Sequence, residues 1–560
     1  MTTAAEPGIT STAEPDAAPA GPLSHRQIVT IFTGLMLGMF LAALDQTIVS
    51  TAIRTIADDL QGLSVQAWVT TAYLITSTIT TPLYGKLSDI YGRKPLFIIA
   101  ISIFIVGSLM SAFASSMYML AAFRAVQGLG AGGLFSLALA IIGDIVSPRE
   151  RAKYQGYFLA VFGTSSVLGP VVGGFFAGAD SIASITGWRW VFLVNVPIGI
   201  VALFVVNHTL NIAHHKRDHR IDYWGAAALV VGLVPLLTIA EQGRTWGWDS
   251  GRAIACYLIG GLGVTGFLLA ERMMGEDALI PLRLFKERTV AVSTIANVVI
   301  GMALFGGISL LPLYLQIVKG SSPTAAGLQL LPLTLGLMVA SIVSGQLISR
   351  TGRYRVYPIL GASLILVGLA LFSRISFDTP LWQTGLVMLV FGYGLGNTLQ
   401  PLVLAIQNAV PPRDLGVATS SAGFFRQIGG TLGVAVFLSI LFSSLPGKLA
   451  SGIGALSPAD QGALGRALPA GGADVLNDSS IIQRLPDALA RPFLVGFSES
   501  MDLVFVCAAA VAAIGLIVLL FLPQVALRET SGLEAAAAER ADEAKRERTA
   551  APEYQGKHEG

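Results

Sequence analysis

The sequence predicts an all-α polytopic membrane protein, and three observations carry that prediction: charge is scarce, long apolar stretches recur along the chain, and basic residues fall in alternate connections. Only 12% of the 560 residues are charged and 53% are hydrophobic, whereas an ordinary soluble domain carries about 25% charged residues. So little charge cannot cover a water-facing particle of this size, but a surface turned mostly to lipid needs no more. A net charge of +2 supplies no basic field, so nucleic acid is not expected as a partner. Cys256 and Cys507 both sit in apolar runs, which offers neither a disulfide framework nor a metal-ligand spacing.

Each element follows from length. A helix needs about 20 mostly apolar residues to cross the hydrocarbon core, and that rule reads about fourteen spans. They are expected at 27–53, 66–86, 95–114, 117–145, 154–178, 189–208, 223–240, 253–271, 290–317, 324–348, 356–373, 382–409, 415–443 and 498–522. The seventh and eighth are the shortest or most charge-flanked. Alternate connections carry Lys86, Arg93 and Lys94; Arg149, Arg151 and Lys153; Lys216, Arg217 and Arg220; Arg283, Lys286 and Arg288; and Arg350, Arg353 and Arg355. The intervening ones are poor in Lys and Arg, so the basic set is expected on the cytoplasmic side of a bacterial-type plasma membrane. An even number of spans then puts both termini there.

Residues 1–23, rich in Ala, Pro, Thr and Glu without a basic start, read as a disordered cytoplasmic tail rather than a signal peptide. Residues 524–560 are charged on all faces and read as a solvated cytoplasmic tail. The connection 444–497 is expected outside; its Gly, Pro and Ser content points to mobility.

Two stretches repeat. Gly85, Leu87, Gly92 and Arg93 after the second span recur at the same spacing as Gly345, Leu347, Gly352 and Arg353 after the tenth. An offset of eight spans means that two helices are inserted between two six-helix repeats. The expected parts are 24–213, an insert at 214–288, and 289–523. Parallel repeats of this kind place a substrate site at their interface, near the bilayer midplane.

The stretch GKLSDIYGRK at 85–94 resembles the signature of the major facilitator superfamily. LDQTIVSTAI (44–53), RAVQGLGAGG (124–133), GPVVGGFF (169–176), GWRWVFLVNVPIG (187–199) and FFRQIGGTLG (424–433) resemble its fourteen-helix drug:proton antiporter branch, the EmrB/QacA type. The resemblance spans nearly everything between residues 27 and 522. It implies a major facilitator fold and proton-driven export of amphipathic or hydrophobic small molecules, without a cofactor. The partners would be substrate, protons and lipid, and the chain would act as a monomer.

An ionisable residue deep in a span is costly and is first read as functional. Asp45 lies roughly 12 Å inside the outer end of the first span, at 1.5 Å per residue. Arg124 lies at similar depth in the fourth. The two are expected to approach each other, either as a structural ion pair or as a proton-exchanging site. Burial and a neighbouring cation act in opposite senses on a carboxylate's proton affinity, so a change of exposure can load and unload it. The resemblance implies proton coupling at both positions.

Asp89, Arg93 and Asp144 are expected at the inner face, with Gly85 and Gly92 shaping the turn, as a charge latch made in one state and broken in another; the resemblance implies the same. In the second half Ser349 replaces the acid. Gly169, Pro170, Gly173 and Gly174 join a helix-breaking proline to small packing residues; the resemblance makes this the antiporter kink. Gly128, Gly130 and Gly133 mimic a dinucleotide fingerprint, but no strand precedes them and helix packing explains them. His214, His215 and His219 have metal-like spacing, yet their basic flanks give an ordinary cause, and no metal is expected.

Candidates for the substrate surface are Tyr73, Gln127, Asn297, Asn397, Gln400 and Arg426, the amides being equally suited to interhelical hydrogen bonding. Arg426 is expected near mid-membrane with no carboxylate among the spans of its own half to neutralise it, which does not suit multiply cationic substrates. Glu241 and Glu271 are expected to snorkel to water. Export of a lipid, a cell-envelope precursor or a self-made antibiotic would leave the same pattern. A membrane enzyme would need a nucleophile with its base or a metal cluster; neither HExxH nor GxSxG occurs, nor does a P-loop.

Overall fold

The computed structural model describes residues 25–61, 66–210, 222–467, 485–531, 534, 535 and 538. The tail 1–23, the histidines 214, 215 and 219 with their basic neighbours, and all of 539–560 lie outside the described residues. Among the described residues the fold is helical apart from one two-stranded hairpin, β1 (Ser181–Ile182) with β2 (Ile185–Thr186). The helices are α1 (His25–Asp59), α2 (Ala67–Tyr91), α3 (Arg93–Ala112), α4 (Met117–Ile145), α5 (Pro148–Gly178), α6 (Trp190–Leu193), α7 (Asn195–Thr209), α8 (Tyr223–Trp246), α9 (Gly251–Met274), α10 (Arg288–Leu313), α11 (Pro323–Gln329), α12 (Leu331–Thr351), α13 (Val356–Phe372), α14 (Leu381–Ala409), α15 (Leu415–Gly454), α16 (Pro458–Ala467) and α17 (Asp487–Leu520).

Among the described residues, 12 helical segments are long and apolar enough to cross a membrane, fewer than the fourteen spans expected. The two that fall short do so for identifiable reasons. In α2, Thr70, Thr71, Thr76, Ser77, Thr78, Thr80 and Thr81 dilute the hydropathy, and several of these hydroxyls donate to carbonyls of their own helix, Thr76 to Ala72 and Thr81 to Ser77. Helix α13 has only 17 residues.

Helix ends are capped as the local chemistry demands. Ser116, Ser147 and Ser250 accept from backbone amides at the starts of α4, α5 and α9, and Asp222 does so for α8. Gly92 ends α2 at φ 96° and Gly352 ends α12 at φ 68°. These positive dihedrals at the same place in the two repeated stretches explain why both carry glycine there.

Helices α1 to α7 pack among themselves, with α2 on α4, α3 on α4 and α1 on α5. A second group joins α10 to α15 and α17, and α12 and α13 to α14. Each group encloses its own apolar core, around Phe97, Phe104 and Leu134 in the first and around Phe391, Phe437 and Phe493 in the second. The glycine stripe of α4 is packing: a Cβ at Gly128 would lie 2.4 Å from the Tyr73 carbonyl, and one at Gly130 would lie 2.5 Å from that of Ala100. Helices α8 and α9 pair with each other. Leu229, Leu233 and Leu237 of α8 meet both Ile75 and Ile79 of α2 and Phe424 of α15, so the insert touches both groups.

Two boundaries differ from the sequence reading. Helix α15 continues to Gly454 and α17 begins at Asp487, with α16 between them, so much of the connection 444–497 is helical. The tail expected from 524 begins as a docked segment. Asn408 Oδ1 accepts from Arg528 N at 2.9 Å, Arg528 Nη2 donates to the Val410 carbonyl, and Glu529 pairs with Arg149. Backbone partners supplied by neighbouring helices hold residues that composition alone leaves solvated.

Candidate functional site

Asp45 is wholly buried and is held by three side chains from two other helices. Arg124 Nη1 lies 2.6 Å from its Oδ2. Gln127 Nε2 donates to Oδ1 at 2.9 Å and Asn195 Nδ2 donates to the same oxygen at 2.8 Å. Arg124 and Gln127, three residues apart on α4, share a helix face, and Arg124 Nη1 also donates to Gln127 Oε1 at 2.7 Å. The Arg124 guanidinium stacks over the Tyr73 ring, 4.1 Å from its centroid. Asn195 is oriented by α3, because its Nδ2 also reaches Ser108 Oγ at 3.0 Å while that hydroxyl donates to the Phe192 carbonyl.

Asp45 and Arg124 thus meet as expected. Tyr73 and Gln127, expected on a substrate surface, instead complete this sealed cluster. Asn195 was missed; its signal was an amide inside the apolar run 187–199. An ionised carboxylate is acceptor-only, whereas a protonated one carries a donor. The three donors leave Asp45 Oδ2 with Arg124 as its one hydrogen-bond partner among the described residues, so a proton added there would cancel the charge that Arg124 pairs with.

The second constellation lies on the face that carries the basic connections. Arg93 Nη1 is 2.6 Å from Asp89 Oδ1 and Arg93 Nε is 2.7 Å from Asp144 Oδ2, with Ser88 Oγ accepting from the same guanidinium. The sequence did not disclose its far partner: Val417 N, in the first turn of α15, donates to Asp89 Oδ2 at 3.0 Å. A helix N-terminus favours a carboxylate there. The approach is close, since a Cβ at Gly85 would sit 2.0 Å from Ser420 Oγ and one at Gly416 would sit 2.3 Å from Asp89 Oδ1. Further bonds join the groups on the same face: Arg151 donates to Gln407 Oε1, and Arg149 Nε to the Ser349 carbonyl at 3.0 Å.

The glycines of α5 lie against α1 just beyond Asp45. A Cβ at Gly169 would be 2.1 Å from Thr47 Oγ1, and one at Gly173 2.8 Å from the Ile48 carbonyl. Pro170 faces Gly327 of α11, and Gly174 is half-buried.

Among the remaining candidates, Asn297 Nδ2 donates to Ser293 O and Asn397 Nδ2 to Tyr393 O, each within its own helix. Asn297 Oδ1 and Gln400 Oε1 have no hydrogen-bond partner among the described residues. Arg426 forms no ion pair with any described residue. Carboxylates do occur in its half, contrary to the expectation: Asp502 of α17 is half-buried beside Tyr314, Met501 and Phe505, but it does not reach Arg426. Glu271 is another correction. It is 1% exposed rather than snorkelling, because the backbone folds over it and Ile280 N donates to its Oε2 at 2.9 Å. The side chain of Glu241 lies outside the described residues. Among the described residues no group of three His, Cys, Asp or Glu side chains could hold a metal ion.

The fold is that of a polytopic helical membrane protein with a buried, hydrogen-bonded ion pair. The profile of the Major Facilitator Superfamily matches residues 35–434, and the chain belongs to that family. It is 35% identical over 502 residues to an uncharacterized MFS-type transporter of Mycobacterium tuberculosis, covering 89% of this chain and 70% of the relative. It is 33% identical over 503 residues to Multidrug resistance protein 3 of Bacillus subtilis, covering 90% of this chain and 96% of that one. The folds of human organic anion transporter MFSD10 and of the proton:xylose symporter XylE superpose with TM-scores of 0.57 and 0.56. They are 14% and 16% identical, covering 88% and 92% of this chain and 99% of each of theirs. The protein is accordingly a secondary-active transporter of small molecules and not an enzyme.

Proposed function

We propose that this transporter is a proton-coupled antiporter that exports amphipathic or hydrophobic small molecules by alternating access, with multidrug-type efflux as its role. The observation that carries this reading is the Asp45 cluster, a wholly buried carboxylate paired with Arg124 and bonded to Gln127 and Asn195. Protonation would neutralise the carboxylate and weaken its pairing with Arg124, and so change how α1 and α4 are tied together. The similarity to relatives named as multidrug transporters supports the cargo class.

In this reading α2 and α13 also cross, giving fourteen spans as two six-helix bundles with α8 and α9 inserted, both termini cytoplasmic, in a bacterial-type plasma membrane. Asp89, Arg93 and Asp144, with Gly85 and Gly92, latch the cytoplasmic face shut against α15. Gly169, Pro170, Gly173 and Gly174 let α5 move closely over α1. Asn297, Asn397, Gln400 and Arg426 offer polar groups to the substrate. A membrane potential of about 150 mV supplies roughly 3.5 kcal/mol per charge, enough for a gradient of about 300-fold at one net charge.

The test is transport in proteoliposomes with an imposed pH gradient. The wild type should accumulate a lipophilic dye against its gradient and dissipate the pH gradient as it does so. Asp45→Asn should abolish both while the protein remains inserted and monodisperse. Dye accumulation that persists in Asp45→Asn would remove this carboxylate from the coupling.

A further inference from the structure

Two arginines stand at membrane depth on helices facing the centre of the molecule, and they are treated differently. Arg124 is neutralised by Asp45. Arg426 lies 11 residues beyond Leu415, the first residue of α15, hence about 17 Å along the helix at 1.5 Å per residue. It makes no hydrogen bond or ion pair with a described residue and caps no carbonyl. An uncompensated charge in a membrane span is expensive and marks a substrate or ion pathway by default.

Its surroundings show what it faces. Around α15, Gly423 turns to Thr81 of α2, Phe424 to the insert, and Gly429 and Gly433 to α10. Arg426 lies on the sector of α15 that meets α10, its own carbonyl abutting Gly301 and Gly430, one turn on, meeting Phe305. The residue is part-exposed rather than sealed, and a charge at this depth generally faces a bundle interior or a water-filled space rather than lipid. On the same two helices, Gln427 Oε1 of α15 and Ser293 Oγ and Asn297 Oδ1 of α10 have no hydrogen-bond partner among the described residues, the last two residues being almost wholly buried.

We propose that Arg426 anchors the anionic group of the substrate, so that the molecules this protein binds best are amphipathic acids carrying one carboxylate or sulfonate. The planar guanidinium presents paired N–H donors that match the two oxygens of such a group. The apolar remainder of the ligand would then lie between the two helix groups, with the Asn297 and Gln427 oxygens free to accept from any hydroxyl or amide it carries. This assignment rests on the exporter reading only in taking the space between the two helix groups as the substrate path; it requires nothing of the proton step.

Equilibrium binding of three dansyl probes to the full-length protein in nanodiscs, without any gradient, tests it. Dansyl glycine is an anion, dansylamide is neutral and dansylcadaverine is a cation. Dansyl glycine should bind about tenfold more tightly than the other two, a difference of about 1.4 kcal/mol. Arg426→Gln should remove that advantage by weakening dansyl glycine much more than dansylamide, and Arg426→Lys should retain part of it. Equal or tighter wild-type binding of dansylamide or dansylcadaverine, or failure of dansyl glycine to bind, overturns the assignment, whether or not the variants fold. So does an unaltered anion preference in Arg426→Gln. Asp45→Asn should keep the binding order, so a failure of proton coupling and a failure of this assignment are read separately.

Discussion

Asn195 Nδ2 lies 2.8 Å from Asp45 Oδ1, so the first residue of α7 holds the same oxygen that Gln127 of α4 reaches from another side. The amide is pinned in turn by Ser108 of α3. The carboxylate is therefore positioned by three helices, and its geometry is sensitive to residues that carry no charge.

Replacing Asn195 with Ala should therefore cost about 1–3 kcal/mol, the penalty for leaving buried hydrogen-bonding groups unpaired. It should appear as a lower unfolding temperature in detergent and as weakened pH-driven transport. Asn195→Gln, which keeps the amide, should recover less than full activity because its donor is displaced by a methylene. An Ala variant with wild-type transport would show that the amide only fills space.

Removing one member of a buried ion pair is costlier than removing both. Arg124→Leu strands the Asp45 charge and should destabilise the protein by about 3–5 kcal/mol. Asp45→Asn combined with Arg124→Leu should regain a good part of that loss. Thermal unfolding of the four proteins of this double-mutant cycle in one lipid gives the coupling directly, and simple additivity would contradict the buried pairing.

Asp89 bridges Arg93 on its own helix and Val417 N on α15. Asp89→Asn removes a negative charge from a helix N-terminus and weakens the tie between the two helix groups on the basic-loop face. The open population of that face should rise by up to about fivefold, since a helix-end charge is worth about 0.3–1 kcal/mol. Spin-label distances across the face, between sites on the α2–α3 and α14–α15 connections, measure it. An unchanged distance distribution would leave Asp89 with a local role only.

Gly132 packs so closely on α2 that a Cβ would fall 2.3 Å from Thr80 Oγ1 and 2.4 Å from the Ser77 carbonyl. Gly132→Val should force the helices apart and cost about 1–3 kcal/mol, the usual range for overpacking, read as loss of folded yield and a lower unfolding temperature. Adenine dinucleotides should not protect either protein against heating.

Much of the site was legible beforehand because membrane depth is set by counting. The positions of Asp45 and Arg124 within their apolar runs put both at one level, and a level shared by an acid and a base invites pairing. The role of Gly128, Gly130 and Gly132 as packing surface was legible for the same reason. Asn195 was not, because an amide within an apolar run satisfies equally well a neighbouring helix, its own backbone or a ligand. Gln127 shows the same ambiguity from the other direction, expected on a surface and found inside the cluster. Val417 escaped notice because its contribution is a backbone N–H, which every residue but proline possesses.

By itself the sequence determined the helical class, the depth of each ionisable group and the face that carries the basic connections, since all three follow from composition and spacing along one chain. The tertiary structure alone decided which helix supplies each partner: Asn195 to Asp45, Val417 to Asp89, and none to Arg426 among the described residues. The physical reason is that hydrogen bonds reach about 3 Å, whereas the partners are separated by more than a hundred residues of chain, and only packing brings such distant segments within that reach.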